Sequence, residues 1–423
     1  MRIFTLILVG LCSQIQIARS QGDTIILKSP LKFKSYMDLV GNHNLDYAAE
    51  RFEVNKSEAA IEMARVFPDP NLTIGVTRDR EGQLDTGHGI SSGLDATIDL
   101  FGKRRARIDL AKSEHELSKA LLSDFFRILQ GESAVVFLEA LKQKQLFSVK
   151  LNSWQTMKRL SEADSVRLKL GSIMEIDALQ SRLEAGSLYN ELLQAETDLK
   201  NSCIRLSQMT GTLKEDTLWV PDGNLLFEKR TFVFSELASL ARNNRADLIA
   251  ALYNKDVARK AFLLAKRERN IDLGLNVGVE NGYLPSGNGP AATTFSAGIA
   301  IPLKFSNYYK GELKQAKFQI SQTELLYEKA DLQIRTEIAQ AIQKYQALCK
   351  QVDNFDHGLL DHAQRVRKGK IYSYNRGETS LLEVLNAQRT YNDMQQQYYE
   401  TLFYRAVALV ELEMAAGIWD ISF

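Results

Sequence analysis

Seven prolines and 25 glycines are few for a chain of 423 residues. Both residues punctuate helices and strands, so their scarcity predicts long uninterrupted elements and few loops. Nowhere do about 18 apolar residues follow one another, which excludes a transmembrane helix. The formal charge is only +1, so no strong field marks nucleic acid or an anionic surface as a partner. GxxxxGK and HExxH are absent, and no enzyme activity or cofactor is expected. The histidines are His43, His88, His115, His357 and His362. His357 and Asp361 are spaced to share a helix face, but one imidazole and one carboxylate make a poor metal site.

The N-terminus reads as a secretory signal over residues 1–20. A short basic start (Arg2) precedes the apolar run Ile3 to Leu11, and Ala18-Arg19-Ser20 gives a small-x-small cleavage pattern. Leu11, directly before Cys12, is larger than the residue a lipoprotein signal wants there. The mature chain keeps Cys203 and Cys349, both inside helical patterns. Measured from their tip glycines, their heights differ by only about 6 Å at 1.5 Å per residue. If their helices are neighbours, a disulfide between them is open in an oxidising compartment. The plainer reading is two buried thiols.

What the chain does have is a duplication. Gly171 to Gly211 spans 40 residues, and so does Gly377 to Gly417; the two pairs are offset by 206 (377 − 171). Upstream the offset is 203: Leu45, Ala48 and Val54 fall on Leu248, Ala251 and Val257. Such self-similarity means that each half is a supersecondary unit built to pair with its copy. The expected division is a first repeat over 21–211, a linker over 212–234, a second repeat over 235–417 and a tail over 418–423. The change of offset predicts about three residues added along the second long helix.

Four segments alternate apolar and polar residues, at about 71–78, 93–100, 271–280 and 293–303. Period two marks strands with one apolar and one polar face. Each is close to the 9–11 residues that cross a bilayer when tilted. Polar, glycine-rich stretches (Arg78 to Ser92 and Asn281 to Ala292) read as the loops joining each pair. A soluble sheet with one wet face accounts for the same alternation. Four strands cannot close a barrel, and lipid tolerates no open edge, so in a membrane several chains must share one barrel. Asp95, Asp99, Asp272 and Glu280 lie on the small-residue face, which would be the pore side.

Long helices are expected over 103–170 and 307–376, each roughly 100 Å if continuous. Each ends at a glycine turn, Gly171 or Gly377, followed by a return helix over 173–209 or 379–416. Shorter helices precede each strand pair, at about Leu45 to Val66 and Asp247 to Arg269. Stacked end to end with the return helix, each gives about 90 Å, nearly the length of the long partner. Each half is therefore a two-helix rod hanging from a β-hairpin.

This layout resembles the TolC-type outer-membrane efflux family over essentially the whole mature chain. Three stretches carry the resemblance: Phe67-Pro68-Asp69-Pro70-Asn71-Leu72, the run Asp99 to Arg107, and Tyr374-Asn375-Arg376-Gly377-Glu378 through Arg389. The first two look most like the heavy-metal-efflux branch. The resemblance implies an α+β membrane protein. Three chains would share a 12-stranded transmembrane β-barrel in the Gram-negative outer membrane and a long α-helical barrel in the periplasm. It further implies a homotrimer in outer-membrane lipid, a periplasmic adaptor and an inner-membrane pump as partners, and passive conduction of heavy-metal cations or drugs. By position after the tip glycines, Glu383, Asn386 and Asp177 would ring the aperture. Tyr374 would latch to Asp177, and the tips at Gly171 and Gly377 would meet the adaptor. Thr379 stands where the family has an arginine. Two other readings remain: an exit duct for type I protein secretion, and a soluble periplasmic coiled-coil scaffold.

Overall fold

The computed structural model describes residues 27–81, 84–211, 217–283, 292–303, 308–421 and 423. The expected signal segment, with Cys12, lies outside them. The axis of the molecule is α3 (Lys103–Lys169), 67 residues in one helix and about 100 Å long. Its upper part packs against α2 (Leu45–Arg65) and its lower part against α4 (Glu175–Met209). In the second repeat α6 (Ala246–Glu268) and α9 (Leu381–Ala416) line α7 (Lys310–Asn354) and α8 (Leu360–Asn375) in the same way. The rods are not independent, because α3 also packs against α6 and α9.

The end-to-end stacking has a local cause, repeated in both halves. Where α4 ends, Gly211 (φ +65°) lies so close to the His43 carbonyl that a Cβ would sit 2.1 Å from its oxygen. Buried Asn44 caps α2 by accepting from the Tyr47 amide at 2.9 Å, and its Nδ2 donates to Met209 O at 3.0 Å, satisfying the end of α4. In the second half Arg245 does this work. It donates to Met414 O and Ala415 O at the end of α9, at 3.3 and 3.2 Å, while gripping Asp247 and Glu337. Both of its ion pairs serve α6 and α7, and burial of the guanidinium is offset by those two carboxylates.

Two features correct the expected helices. The second long helix is not continuous from 307 to 376. A π-turn at Phe355–Leu359 separates α7 from α8, with Gly358 at φ +103°. Nor do the added residues lie along it. Phe101 and Gly102, left-handed before α3, correspond to Tyr308 and Tyr309, left-handed before α7, an offset of 207 (308 − 101). The extra residues therefore fall, in sequence, between the last strand and α7 rather than along the helix.

The main sheet has the order β2-β3-β5-β6, all antiparallel: β2 (Asn71–Glu81), β3 (Leu84–Ile98), β5 (Leu273–Tyr283) and β6 (Ala292–Ala300). The expected loop Arg78 to Ser92 is mostly strand. Pairing such as Thr77 with Gly89 and Arg78 with His88 continues the ladder, although the side-chain alternation has faded. The register gathers Thr73, Gly75, Gly93, Gly278 and Ser296 on one face, and Ile74, Val76, Ile90, Val277 and Phe295 on the other. That second face is bare: Val76 is 77% and Phe295 81% exposed. β2 and β6 are open edges among the described residues.

A second, two-stranded parallel sheet joins β1 (Leu27–Lys32) to β4 (Thr217–Asp222) inside the linker. Both strands carry proline (Pro30, Pro221), which suits an edge and hid β1 from the sequence pattern. Lys144 of α3 donates to Pro221 O at 2.9 Å, fixing this strap at mid-height. There the core is thickest. Phe137 meets Phe33 and Tyr36 at 5.3 and 5.4 Å between ring centroids, amid α1 (Phe33–His43), α5 (Phe234–Asn244), α7 and α9.

Candidate gating site at the helical tips

Both tips close with the same backbone motif. Ser172 N donates to Arg167 O at 2.9 Å and Gly171 N to Leu168 O at 2.9 Å; Glu378 N donates to Ser373 O at 2.9 Å and Gly377 N to Tyr374 O at 3.0 Å. These 6→1 and 5→2 bonds need a left-handed residue, supplied by Gly171 (φ +68°) and Gly377 (φ +76°). A small core joins the two hairpins just above: Met157 and Leu160 of α3, Leu188 of α4, Tyr374 of α8, and Leu381, Val384 and Leu385 of α9.

Tyr374 is buried in that core, but its partner differs from the expected one. Its hydroxyl donates to Asp164 Oδ1 of α3 at 3.0 Å, and the Tyr374–Asp177 bond is not made. The geometry favours Asp164 because it lies on the inward stripe Met157, Leu160, Ser161, Asp164 and is fully buried, whereas Asp177 is half-exposed in the first turn of α4. Arg167 completes the group. Its Nη2 donates to Tyr374 O and Asn375 O at 3.3 and 3.4 Å, its guanidinium lies 5.1 Å from the Tyr374 ring centroid, and its Nη1 is 3.8 Å from Asp164. Burial pushes the Asp164 carboxyl up; the hydroxyls of Ser181 and Tyr374 and the Arg167 charge oppose that, and the charge of nearby Asp177 adds to it. Tyr374 is also pushed up, first by burial and then by Asp164.

Glu383 is half-exposed, but it is not a free charge. Lys370 of α8 bonds its carboxylate, and Thr379 Oγ1 donates to it at 2.8 Å. The Lys370 bond is the main cause that holds its carboxyl below the usual range. Thr379, two residues after Gly377, thus serves the Glu383 carboxylate alongside Lys370. Asn386 is exposed on the same helix.

Among the proposed pore residues, Asp95 and Glu280 lie within strands on the small-residue face. Asp99 and Asp272 do not. They flank the strand ends and make ion pairs, Asp99 with Arg107 and Asp272 with buried Lys103 at 2.7 Å, which fasten the sheet to the top of α3. Cys203 and Cys349 are both buried, and neither forms a disulfide. Their disulfide is excluded by packing: α4 packs on α3, whereas α7 packs on α6 and α9. The His357 ring is turned to the Asp353 carbonyl at the π-turn, and among the described residues no side chains group as a metal site. Sequence reasoning missed Asp164, Arg167 and Lys370. A carboxylate on an otherwise inward-facing helix stripe was the available signal.

A hairpin sheet with an apolar outside, hung on about 100 Å of paired helices that end in glycine-turned tips, defines a membrane-anchored duct subunit. A family model described as outer membrane efflux protein matches residues 36–212 and 237–418, and the chain belongs to that family. It is an outer-membrane efflux component. It is 24% identical to the cobalt-zinc-cadmium resistance protein CzcC of Cupriavidus metallidurans over 85% of this chain and 84% of that one. It is 23% identical to the probable outer membrane lipoprotein SilC of Salmonella typhimurium, over 90% and 84%. Its fold matches the crystal structure of the Campylobacter jejuni CmeC outer membrane channel with a TM-score of 0.74 at 16% identity, covering 91% and 85% of the two chains.

Proposed function

We propose that three copies of this chain close one 12-stranded barrel in the outer membrane and form the passive exit duct of a tripartite efflux system. The observation that carries this is the four-stranded sheet with two open edges and a bare apolar face. Lipid would cover that face, and neighbouring copies would pair the edges. β2 and β6 run in opposite directions, so the β6 edge of one copy meets the β2 edge of the next in antiparallel fashion. Two copies would give eight strands, a barrel filled by its own side chains; three give room for a conduit.

Asp95 and Glu280 then face the lumen, and Glu383, Asn386 and Asp177 appear three times each around the periplasmic aperture. The Gly171 and Gly377 turns dock a periplasmic adaptor that leads to an inner-membrane pump. Heavy-metal cations are the cargo class supported by the likeness to the cobalt-zinc-cadmium resistance protein CzcC. Native mass spectrometry in detergent and planar-bilayer conductance test the core of the proposal. Three chains per particle with stepwise ion conductance are expected; a particle of two chains, or no conductance in any variant, refutes it.

A further inference from the structure

One cation–π clip lies under each hairpin, where the sheet meets the helices. Beneath β2 and β3, the Arg104 guanidinium of α3 lies 4.2 Å from the Phe67 ring centroid, and Arg104 Nε donates to Arg65 O at 2.7 Å. Beneath β5 and β6, the Arg269 guanidinium lies 3.8 Å from the Tyr308 ring centroid. The duplication did not copy these pairs. By the offsets of 203 before the strands and 207 after them, Arg104 falls on Gly311 and Arg269 on Val66. In the first repeat the arginine comes from the long helix and the ring from the segment entering the sheet; in the second the roles are exchanged. The same pair at the same place, built from arginines at non-corresponding positions, points to a demand from outside the chain.

Charge and exposure identify that demand. The segments 65–69, 99–107, 266–272 and 310–312 flank the strand ends and carry nine cations against five carboxylates, in a chain of net charge only +1. Lys103 takes Asp272 and Glu268, and Arg107 takes Asp99. Arg104, Arg105 and Arg269 have no ion-pair partner among the described residues, and Arg269 Nε is buried without an acceptor. No acidic residue stands in the first turn of α3, so the helix dipole opposes Arg104 and Arg105. The rings are bare: Phe67 is 60% exposed and Phe101 57%. Phe101 and Tyr308 also hold left-handed backbones that bulky residues rarely adopt. Ile301 and Leu303, both exposed, carry the apolar series of Phe295 and Ile299 down to this level. Aromatic rings at the rim of an apolar band mark the depth of lipid headgroups.

We propose that each clip binds the phosphate of an anionic phospholipid in the periplasmic leaflet. The edge of the stacked guanidinium meets the phosphate, and the exposed ring lies among the glycerol esters. A zwitterionic headgroup brings its own cation and leaves the excess positive charge unmet, so the sites prefer a lipid of net negative charge. This inference rests on the outer-membrane duct reading; a three-chain barrel would carry six such sites.

Native mass spectrometry of the detergent-solubilised full chain tests it, with phosphatidylglycerol or phosphatidylcholine of equal acyl length as the probe. The wild type should hold phosphatidylglycerol at least fivefold more tightly. Arg105→Gln and Arg269→Gln should each weaken that binding about fivefold, the effect of removing one cation near a membrane surface, and leave phosphatidylcholine binding unchanged. Arg365→Gln, an exposed cation near the far end of the rod, should change neither. Arg105 is exposed and makes no contact that folding needs, so its variant carries the test should Arg269→Gln fail to fold. Equal retention of the two lipids, unchanged phosphatidylglycerol binding in Arg105→Gln, or displacement of the lipid by inorganic phosphate but not by chloride at equal ionic strength overturns the proposal. So does retention of neither lipid by a chain that needs detergent. A chain that retains neither and stays monodisperse without detergent overturns the duct reading instead.

Discussion

Replacing Gly211 with alanine separates backbone conformation from close approach, because Gly171 provides a matched control. The two glycines have nearly equal φ, +65° and +68°. An alanine at either position must hold a left-handed backbone, which costs about 1–2 kcal/mol. At Gly171 nothing lies within 4 Å of the new Cβ, so the cost ends there. At Gly211 the Cβ would lie 2.1 Å from the His43 carbonyl oxygen, and that oxygen is backbone that no rotamer change can move. The α1–α2 junction must retreat by about 1 Å to restore contact, a shift that breaks the Asn44 bonds to Met209 O and Tyr47 N. Losing those two adds about 2 kcal/mol. Gly211→Ala should therefore cost about 3–4 kcal/mol against 1–2 for Gly171→Ala. Circular-dichroism melting of the detergent-solubilised protein should show Gly211→Ala roughly 4 °C or more below Gly171→Ala, at about 2 °C per kcal/mol. Equal melting temperatures would refute the claim that this junction holds α2 and α4 end to end.

Two further outcomes follow from buried and exposed groups elsewhere. Glu413 is fully buried, 2.9 Å from Arg230 and hydrogen-bonded to the Asp420 amide at 3.0 Å, and burial pushes its carboxyl up to about 8. The folded state thus holds a proton that the unfolded state releases near the ordinary carboxylate range. Stability should fall as pH rises through that window to about 8, and Glu413→Gln should flatten the dependence in melts taken between pH 5 and 9. Ile74→Arg places a charge on the bare sheet face and should cost about 2–4 kcal/mol if that face meets lipid. Membrane fractionation should show assembly lost for Ile74→Arg and kept for Thr73→Arg on the opposite face; equal behaviour would sink the assignment of the faces.

The large elements were readable because their signals repeat. Period-two alternation located all four main strands, and glycine spacing located both tips. The errors arose where a partner, not the local pattern, decides the outcome. β3 runs back to Leu84 because β2 supplies its hydrogen bonds. β1 forms because the inter-repeat linker lies beside it, despite Pro30. The π-turn at Gly358 left no trace in apolar periodicity. At the tip, the resemblance supplied Tyr374 but the wrong acceptor, because both aspartates are near the turn in sequence and only packing shows which is buried. Asp99 and Asp272 matched the strand pattern, yet fall one residue beyond the strand ends and are drawn into ion pairs with the top of α3.

The sheet order also bears on how the chain reaches its final state. At the centre, β3 of one repeat pairs with β5 of the other, with Asp95 opposite Asn276, 181 positions later (276 − 95). Contacts across so long a loop form slowly, whereas each hairpin and each helical pair is local. The central pairing should therefore come late, after the rods have docked along α3. Until neighbouring copies arrive, two open edges and an apolar face would remain an aggregation hazard. On the proposed trimeric duct, assembly of the copies and burial of the sheet in lipid would be one coupled event, and a delay in either would expose the nascent chain to proteolysis.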